Sequence, residues 1–313
     1  MLLGGDWKQL LPVVRGTYNS EIINYTFKKS SLWDNFKVLS LSENMRLERG
    51  AGEFANFLTK VGSAEEPVHN SVQSTVEISK DMCLESEDAV IKWAYEDSLD
   101  VKSCEAIKET CILCVLNEST MEVNKKVLAM LGGHEKVMKS VDRCCHESKY
   151  MELPAEVYNN ITPCGLPPHK LSLKEGCIVV LLRNLNVPLG QCNGTRLRVV
   201  KIEKNLLHCE NLLESFKNQL VLLPSIEMTP SDLSDPSHCF TRLQFPVRLS
   251  YAMTINKAQG QSLSKVGVIL KTPVFSHGQL CCSFTSSHEK WHSKLATTNA
   301  CGRYIRKYSQ HRL

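Results

Sequence analysis

Within one short run, Thr254-Ile255-Asn256-Lys257-Ala258-Gln259-Gly260-Gln261-Ser262, the chain gathers hydroxyls, carboxamides and one lysine. These groups can hold an oxyanion: hydroxyl and amide hydrogens orient its oxygens, and the ammonium offsets its charge. The run stands between two apolar stretches with β-branched content, Val247–Tyr251 and Val266–Leu270, and a turn follows at Thr272-Pro273. Strand, polar helix opening, strand is how α/β proteins present donors to a phosphate at the carboxyl edge of a sheet. The same pattern fits an ordinary βαβ unit with a solvated helix.

Two other positions carry comparable chemistry. Leu2-Leu3-Gly4-Gly5-Asp6 reads as a strand leaving a sheet at a glycine bend, and Gln9 beyond it suits a polar sensor near a nucleotide or a solvated turn. Val38–Leu41 reads as a short strand, and Arg46 past its end carries a planar fork of donors for an anion or a surface carboxylate.

The elements that must position these groups follow from periodicity. Asn19–Trp33 has helical spacing, Glu53–Val61 is a short amphipathic helix, 62–80 is a polar connector, and Ser86–Leu99 reads as a helix. Cys111–Leu116 reads as a buried strand. Ser119 to Glu122 then forms a capping-box pattern before a helix bearing Val123, Val127, Leu128 and Leu131, which Gly132-Gly133 stops. Farther on, Ile178–Leu182, Leu197–Ile202, Leu206–Cys209 and Leu220–Leu223 are short strands separated by turn signals such as Asn193-Gly194, a spacing that suits a small SH3-like barrel. Arg183, Arg196, Arg198, Lys201 and Lys204 on those strands and turns fit either phosphate contacts or a solvated surface.

Composition narrows the class. The chain has 313 residues, 42% hydrophobic and 22% charged, which is ordinary for a globular protein and provides no membrane-spanning run. No secretory signal is visible at its start. The 14 cysteines are scattered; Cys111-Ile-Leu-Cys114 lies inside an apolar run and Cys144-Cys145-His146 is too crowded for one ion, so no metal site is expected. A net charge of +4 permits a nucleic-acid partner without requiring one.

Phe245-Pro246-Val247-Arg248 followed by Ala252-Met253-Thr254-Ile255-Asn256-Lys257-Ala258-Gln259-Gly260-Gln261-Ser262 resembles a late motif of the petite-integration-frequency family of superfamily-one DNA helicases, in the form found in Helitron-type transposons. Gly4-Gly5-Asp6-Trp7-Lys8-Gln9 resembles that family's third motif, with tryptophan and lysine in place of phenylalanine and arginine. Asn44-Met45-Arg46-Leu47 resembles its next one. Thr162-Pro163-Cys164-Gly165-Leu166-Pro167-Pro168, the run Leu181–Leu185 and Cys192-Asn193-Gly194-Thr195-Arg196 are similar to signatures around its inserted barrel. The likeness extends over about residues 2–280.

The resemblance implies an α/β fold: an incomplete RecA-like helicase core with an inserted SH3-like β-barrel. Residues 1–35 would be the remnant of a first RecA-like domain, 36–170 with 245–287 the second, 171–244 the barrel, and 288–313 a divergent basic tail. It implies that Gln9 senses the terminal phosphate and that Arg46 is an arginine finger, with Gln259 and Gly260 facing the nucleotide. Thr254, Asn256, Lys257 and Arg196 would contact single-stranded DNA. ATP and Mg²⁺ are the cofactors so implied, and the compartment is nuclear, with mitochondria as the alternative. Two departures bear on turnover. No G-x-x-x-x-G-K-[ST] phosphate loop occurs in the sequence, and Ser286 stands where the family's last motif has an arginine. The expectation is therefore the carboxyl-terminal portion of an ATP-dependent DNA helicase that does not hydrolyse ATP by itself. The alternatives are a non-catalytic strand-binding remnant and a non-functional transposon-derived fragment.

Overall fold

Short apolar runs punctuated by turns give many short strands, and the few longer amphipathic runs give helices. The computed structural model describes residues 2–6, 9–10, 21–41, 52–63, 74–99, 107–144, 154–163, 165–216, 219–230, 240–259, 261, 263–276, 278–285, 293–297 and 303–306. The first elements are α1 (Gly52–Ser63), β1 (Ser74–Glu77), α2 (Glu87–Tyr95), β2 (Thr110–Cys114) and α3 (Asn117–Met130). There follow β3 (Lys136–Lys139), β4 (Val141–Cys144), α4 (Ala155–Asn160), β5 (Lys170–Leu173), β6 (Ile178–Leu181), β7 (Arg196–Ile202), β8 (Leu206–Asn211) and β9 (Leu220–Pro224). The chain continues through β10 (Ile226–Met228), β11 (Phe240–Gln244), β12 (Val247–Leu249), β13 (Ala252–Thr254), β14 (Lys265–Leu270), α5 (Gln279–Thr285), β15 (Ser293–Thr297) and β16 (Arg303–Arg306). Two compact units result: one from residues 1–98, 105–123 and 252–313, the other from 99–104 and 124–251.

The first unit is built on a four-stranded parallel sheet in the order β13-β2-β14-β15. Every residue of β2 is buried, as a parallel strand covered on both faces requires. Helix α2 packs on β2, β14 and β15. It starts at Ser86, whose hydroxyl accepts from the Ala89 N–H, a cap that stabilises by about 1 kcal/mol. Gly267 on β14 allows this close approach, because a Cβ there would lie 2.7 Å from Val90 Cγ1. Phe54, Leu58 and Val61 of α1 share a core with Leu280 and Phe284 of α5, and Leu10 packs against it.

Several expectations need correction in this unit. Asn19–Trp33 is not one helix: its described part forms 3-10 turns at Ile22–Tyr25, Phe27–Lys29 and Trp33–Asn35, with the Phe27 ring edge-on to Trp33 and Phe36. Val38–Leu41 enters no described ladder and exposes Leu39 and Leu41 to solvent. The Ser119 capping box is not used, since α3 already begins at Asn117, directly after β2. The segment read as a basic tail supplies β15, which extends the sheet beside β14 with Leu295 and Ala296 buried.

Val247–Tyr251 is also not the strand that precedes the polar run. Val247–Leu249 pairs antiparallel with β6 in the second unit, while the separate β13 pairs parallel with β2. The ladder ends past Ser250, whose N–H still donates to Ile178 O at 3.0 Å, and side chains take over the hydrogen bonding at Tyr251. The Tyr251 N–H donates to Asn124 Oδ1 at 2.9 Å, and the Tyr251 hydroxyl accepts from the Ile178 N–H at 3.2 Å.

The second unit is antiparallel. Its largest sheet runs β12-β6-β7-β8-β9, beside the ladders β10-β11-β4 and β3-β5. The four short strands read from alternation all appear, and β8 and β9 bury Leu207, Cys209, Val221 and Leu223 on one face. Among the described residues no ladder joins β9 to β12, so this sheet is open as described. Gly190 turns at φ +68°, where a Cβ would lie 2.4 Å from the Phe216 ring.

A buried ion pair organises the other strands. Arg242, with no exposed surface, donates to Asp142 through Nε and Nη2 at 2.8 and 2.6 Å, to Pro167 O at 3.0 Å and to Tyr158 O at 2.8 Å. Ser140 Oγ reaches Asp142 Oδ1 at 2.7 Å and His169 Nδ1 at 2.8 Å. Burial alone would raise the Asp142 carboxyl, but the Arg242 and Ser140 hydrogen bonds outweigh it and hold the group below its ordinary value. Among the described residues no helix is long and apolar enough to cross a membrane.

Candidate nucleic-acid interface

The polar run stands at the carboxyl edge of the parallel sheet. Thr254 ends β13 level with Cys114 of β2, and Ile269 of β14 also pairs with Cys114. The strands therefore release their following loops at one edge, where open α/β sheets place ligands. From Thr254 the chain does not enter an α-helix but makes one 3-10 turn, Ile255–Ala258. Ile255 and Ala258 are buried in the core, so the turn is pinned from beneath, with Lys257 and Gln259 exposed and Thr254 and Asn256 half-buried. Alternation of apolar and polar positions over so short a run suits a 3-10 turn, in which residues three apart share a face.

Gln9, near the other end of the chain, joins this edge. Its Oε1 accepts from Gln259 Nε2 at 3.3 Å, and its Nε2 donates to Asp6 Oδ2 at 3.1 Å. The structure thus brings together Gln9 and Gln259, and places Thr254, Asn256 and Lys257 on the turn that leads to Gln259. Arg46, Gly260 and Ser286 lie outside the described residues. Arg196 belongs to the second unit, at the start of β7, half-buried, with Nη2 donating to Ser250 O at 2.9 Å. At the same sheet edge Lys271 is paired with Glu87, at 3.3 Å, and with Glu122. The hydrogen bond to Glu122 leads the causes that raise its pKa. The Cys114 thiol is pushed up to about 12, first by burial, and is no nucleophile at neutral pH.

Two residues escaped sequence reasoning. Gln279, fully buried at the start of α5, donates from Nε2 to Asn256 Oδ1 at 2.9 Å, and its Oε1 accepts from the Phe275 N–H at 3.1 Å. A glutamine opening an apolar run was the available signal. Arg248, in the second unit, clamps the turn before β5: it donates to Leu166 O through Nε at 2.8 Å and to Pro163 O at 3.1 Å.

The donor set at the edge tests the implied cofactors. Gln9 and Gln259 can orient a phosphate oxygen, and the carboxylate of Asp6 stands beside them. One carboxylate beside two carboxamides suits a cation held mainly by phosphate oxygens, so the donor set fits a nucleotide phosphate, with Asp6 the described carboxylate nearest to it.

A parallel sheet with its loops at the carboxyl edge, carrying an antiparallel β unit between β2 and β13, is a RecA-like α/β core with an accessory unit. The structure superposes on the Pif1 helicase from Candida albicans with a TM-score of 0.62 at 22% identity, covering 94% of this chain and 64% of that one. It also superposes on the Pif1 helicase from Bacteroides in complex with ADP-AlF3 and ssDNA, with a TM-score of 0.57 at 16% identity, covering 94% and 61%. Sequence profiles agree in family: PIF1-like helicase matches residues 1–71, and the 2B domain of the DNA helicase Pif1 matches residues 156–202. Over these two segments the chain resembles the PIF1-like helicases. It is 23% identical over 320 residues to the ATP-dependent DNA helicase PIF7 of Trypanosoma brucei brucei, covering 89% of this chain and 30% of that protein. The chain thus spans only part of the length of the relatives it matches.

Proposed function

We propose that this chain is the strand-engaging portion of an ATP-dependent DNA helicase, and that Thr254, Asn256 and Lys257 contact the backbone of single-stranded DNA at the carboxyl edge of the parallel sheet. The observation that carries this reading is the pinned 3-10 turn, which holds one exposed lysine among short polar side chains and leads directly into the Gln259–Gln9 contact. That contact links the strand-facing turn to the side where Gln9, Gln259 and Gly260, with Arg46, would face a nucleotide. Arg196, in the second unit, is a phosphate contact of its own. The compartment that suits such a protein is the nucleus, with mitochondria as the alternative.

Titration of oligo-dT against the purified chain at several salt concentrations tests this. Binding that weakens with salt is expected, and Lys257→Ala should lower both the affinity and the salt slope, the latter by about 0.7 for one phosphate contact on a single strand. Equal binding by Lys257→Ala and the unchanged protein would refute it. A second reading, a strand-binding element without turnover, is favoured by Ser286 where the resembled last motif has an arginine. Strand-stimulated ATP hydrolysis by the same preparation would exclude it.

A further inference from the structure

We infer that Gln279 is the positioning residue of this edge, setting which atom of Asn256 faces a phosphate; the inference rests on the strand-binding reading above. A 3-10 turn of four residues is weakly determined by its own hydrogen bonds. Thr254 provides no side-chain cap to it. Ile255 and Ala258 fix its depth, and Gln279 fixes the orientation of its polar face.

The chain of donors and acceptors leaves one arrangement. The Phe275 N–H can only donate, so the atom of Gln279 that meets it at 3.1 Å is the oxygen, and the nitrogen points at Asn256. The atom of Asn256 that receives this donor at 2.9 Å is then its oxygen. The Asn256 Nδ2 hydrogens are therefore directed away from Gln279. An amide donor beside an ammonium suits a phosphodiester oxygen; a reversed amide would present an acceptor to it and repel it. Gln279 is fully buried and does not touch the strand in this arrangement, so it acts through Asn256.

Gln279→Glu separates this role from a purely structural one. The new carboxylate can still accept from the Phe275 N–H, but its second oxygen faces Asn256 Oδ1, and the Asn256 amide must turn over. At pH 8 the affinity of the full chain for oligo-dT is expected to fall about tenfold, the loss of one hydrogen bond to a charged group. Burial raises a carboxyl pKa, so at pH 5.5 the introduced side chain is protonated, donates again, and most of the affinity returns. The nearby Cys282 thiol, pushed up to about 11 chiefly by burial, stays neutral throughout. Unchanged affinity at both pH values, or a loss that does not recover at pH 5.5 with the circular dichroism intact, would overturn the inference. Lys257→Ala in parallel keeps the two readings apart: if it binds like the unchanged protein, the strand-binding reading itself fails. Should Gln279→Glu not fold, Asn256→Asp keeps an acceptor for Gln279 and replaces the outward donor by an oxygen. A similar loss at pH 8 is expected from it, and unchanged affinity overturns the inference.

Discussion

Removing Asp142 should unfold the second unit far more readily than removing an exposed carboxylate. In Asp142→Ala the Arg242 guanidinium keeps its bonds to Pro167 O and Tyr158 O but loses both bonds to the carboxylate, while having no exposed surface through which water could replace them. An uncompensated buried charge of this kind costs about 3–5 kcal/mol, a large part of the roughly 5–15 kcal/mol that holds a domain folded. Urea unfolding followed by hydrogen exchange in β4 and β11 reads it directly. With a urea dependence of about 1–3 kcal/mol per molar, the midpoint for those strands should fall by about 1–5 M. The double variant Asp142→Leu with Arg242→Met removes both charges and leaves neither stranded, so it should be more stable than Asp142→Ala despite carrying two changes. A single-variant cost below about 1 kcal/mol, or a double variant less stable than the single one, would refute the reasoning.

Acid should act on the same cluster. Burial, opposed by Asp142 and aided by Arg242, lowers the His169 pKa, so the unfolded chain binds a proton there first and stability declines as pH falls through the ordinary histidine value of about 6.5. The lowered Asp142 pKa works in the same direction: its contribution is complete above about pH 4 and is lost as pH falls through the folded value, which hydrogen exchange of β4 and β11 across pH 3–8 would show. Gly190→Ala should cost at least about 2 kcal/mol, from the left-handed backbone and from displacement of the Phe216 ring. Thermal melts compare it with Gly190→Ala/Phe216→Ala, in which only the backbone part of the conflict between these two positions persists.

The strands of both units were legible wherever alternation or a continuous apolar run stood between turn residues, as in 178–181, 206–211 and 265–270. The polar run at Thr254–Ser262 was legible as chemistry because hydroxyl, amide and lysine occur together. What pattern could not show was connectivity. Val247–Tyr251 has the composition of one strand leading to the polar run, yet Asn124, far away in sequence, takes the Tyr251 N–H where the strand β12 has ended and before β13 begins in another sheet. Likewise Ser293–Thr297 has too few apolar residues to announce a strand, and becomes one only because β14 offers an edge. Side-chain pairing across long separations was equally hidden: Gln9 with Gln259, Gln279 with Asn256, and Arg242 with Asp142. Helical spacing misled at Asn19–Trp33, where aromatic edge contacts among Phe27, Trp33 and Phe36 support successive tight turns instead.

The split of the parallel sheet also orders events during synthesis. β2 is the interior strand between β13 and β14, yet every described strand of the antiparallel unit is translated after β2 and before either of those neighbours. A nascent chain ending near β12 therefore holds every strand of the five-stranded antiparallel sheet, and an apolar, fully hydrogen-bonding β2 with no parallel partner on either side. Until residues 252–270 leave the ribosome, Thr110–Cys114 is an open edge of the kind that recruits foreign strands. The inserted unit is thus an interval of exposure as well as a domain: the longer it takes to be made, the longer the central strand of the other unit waits.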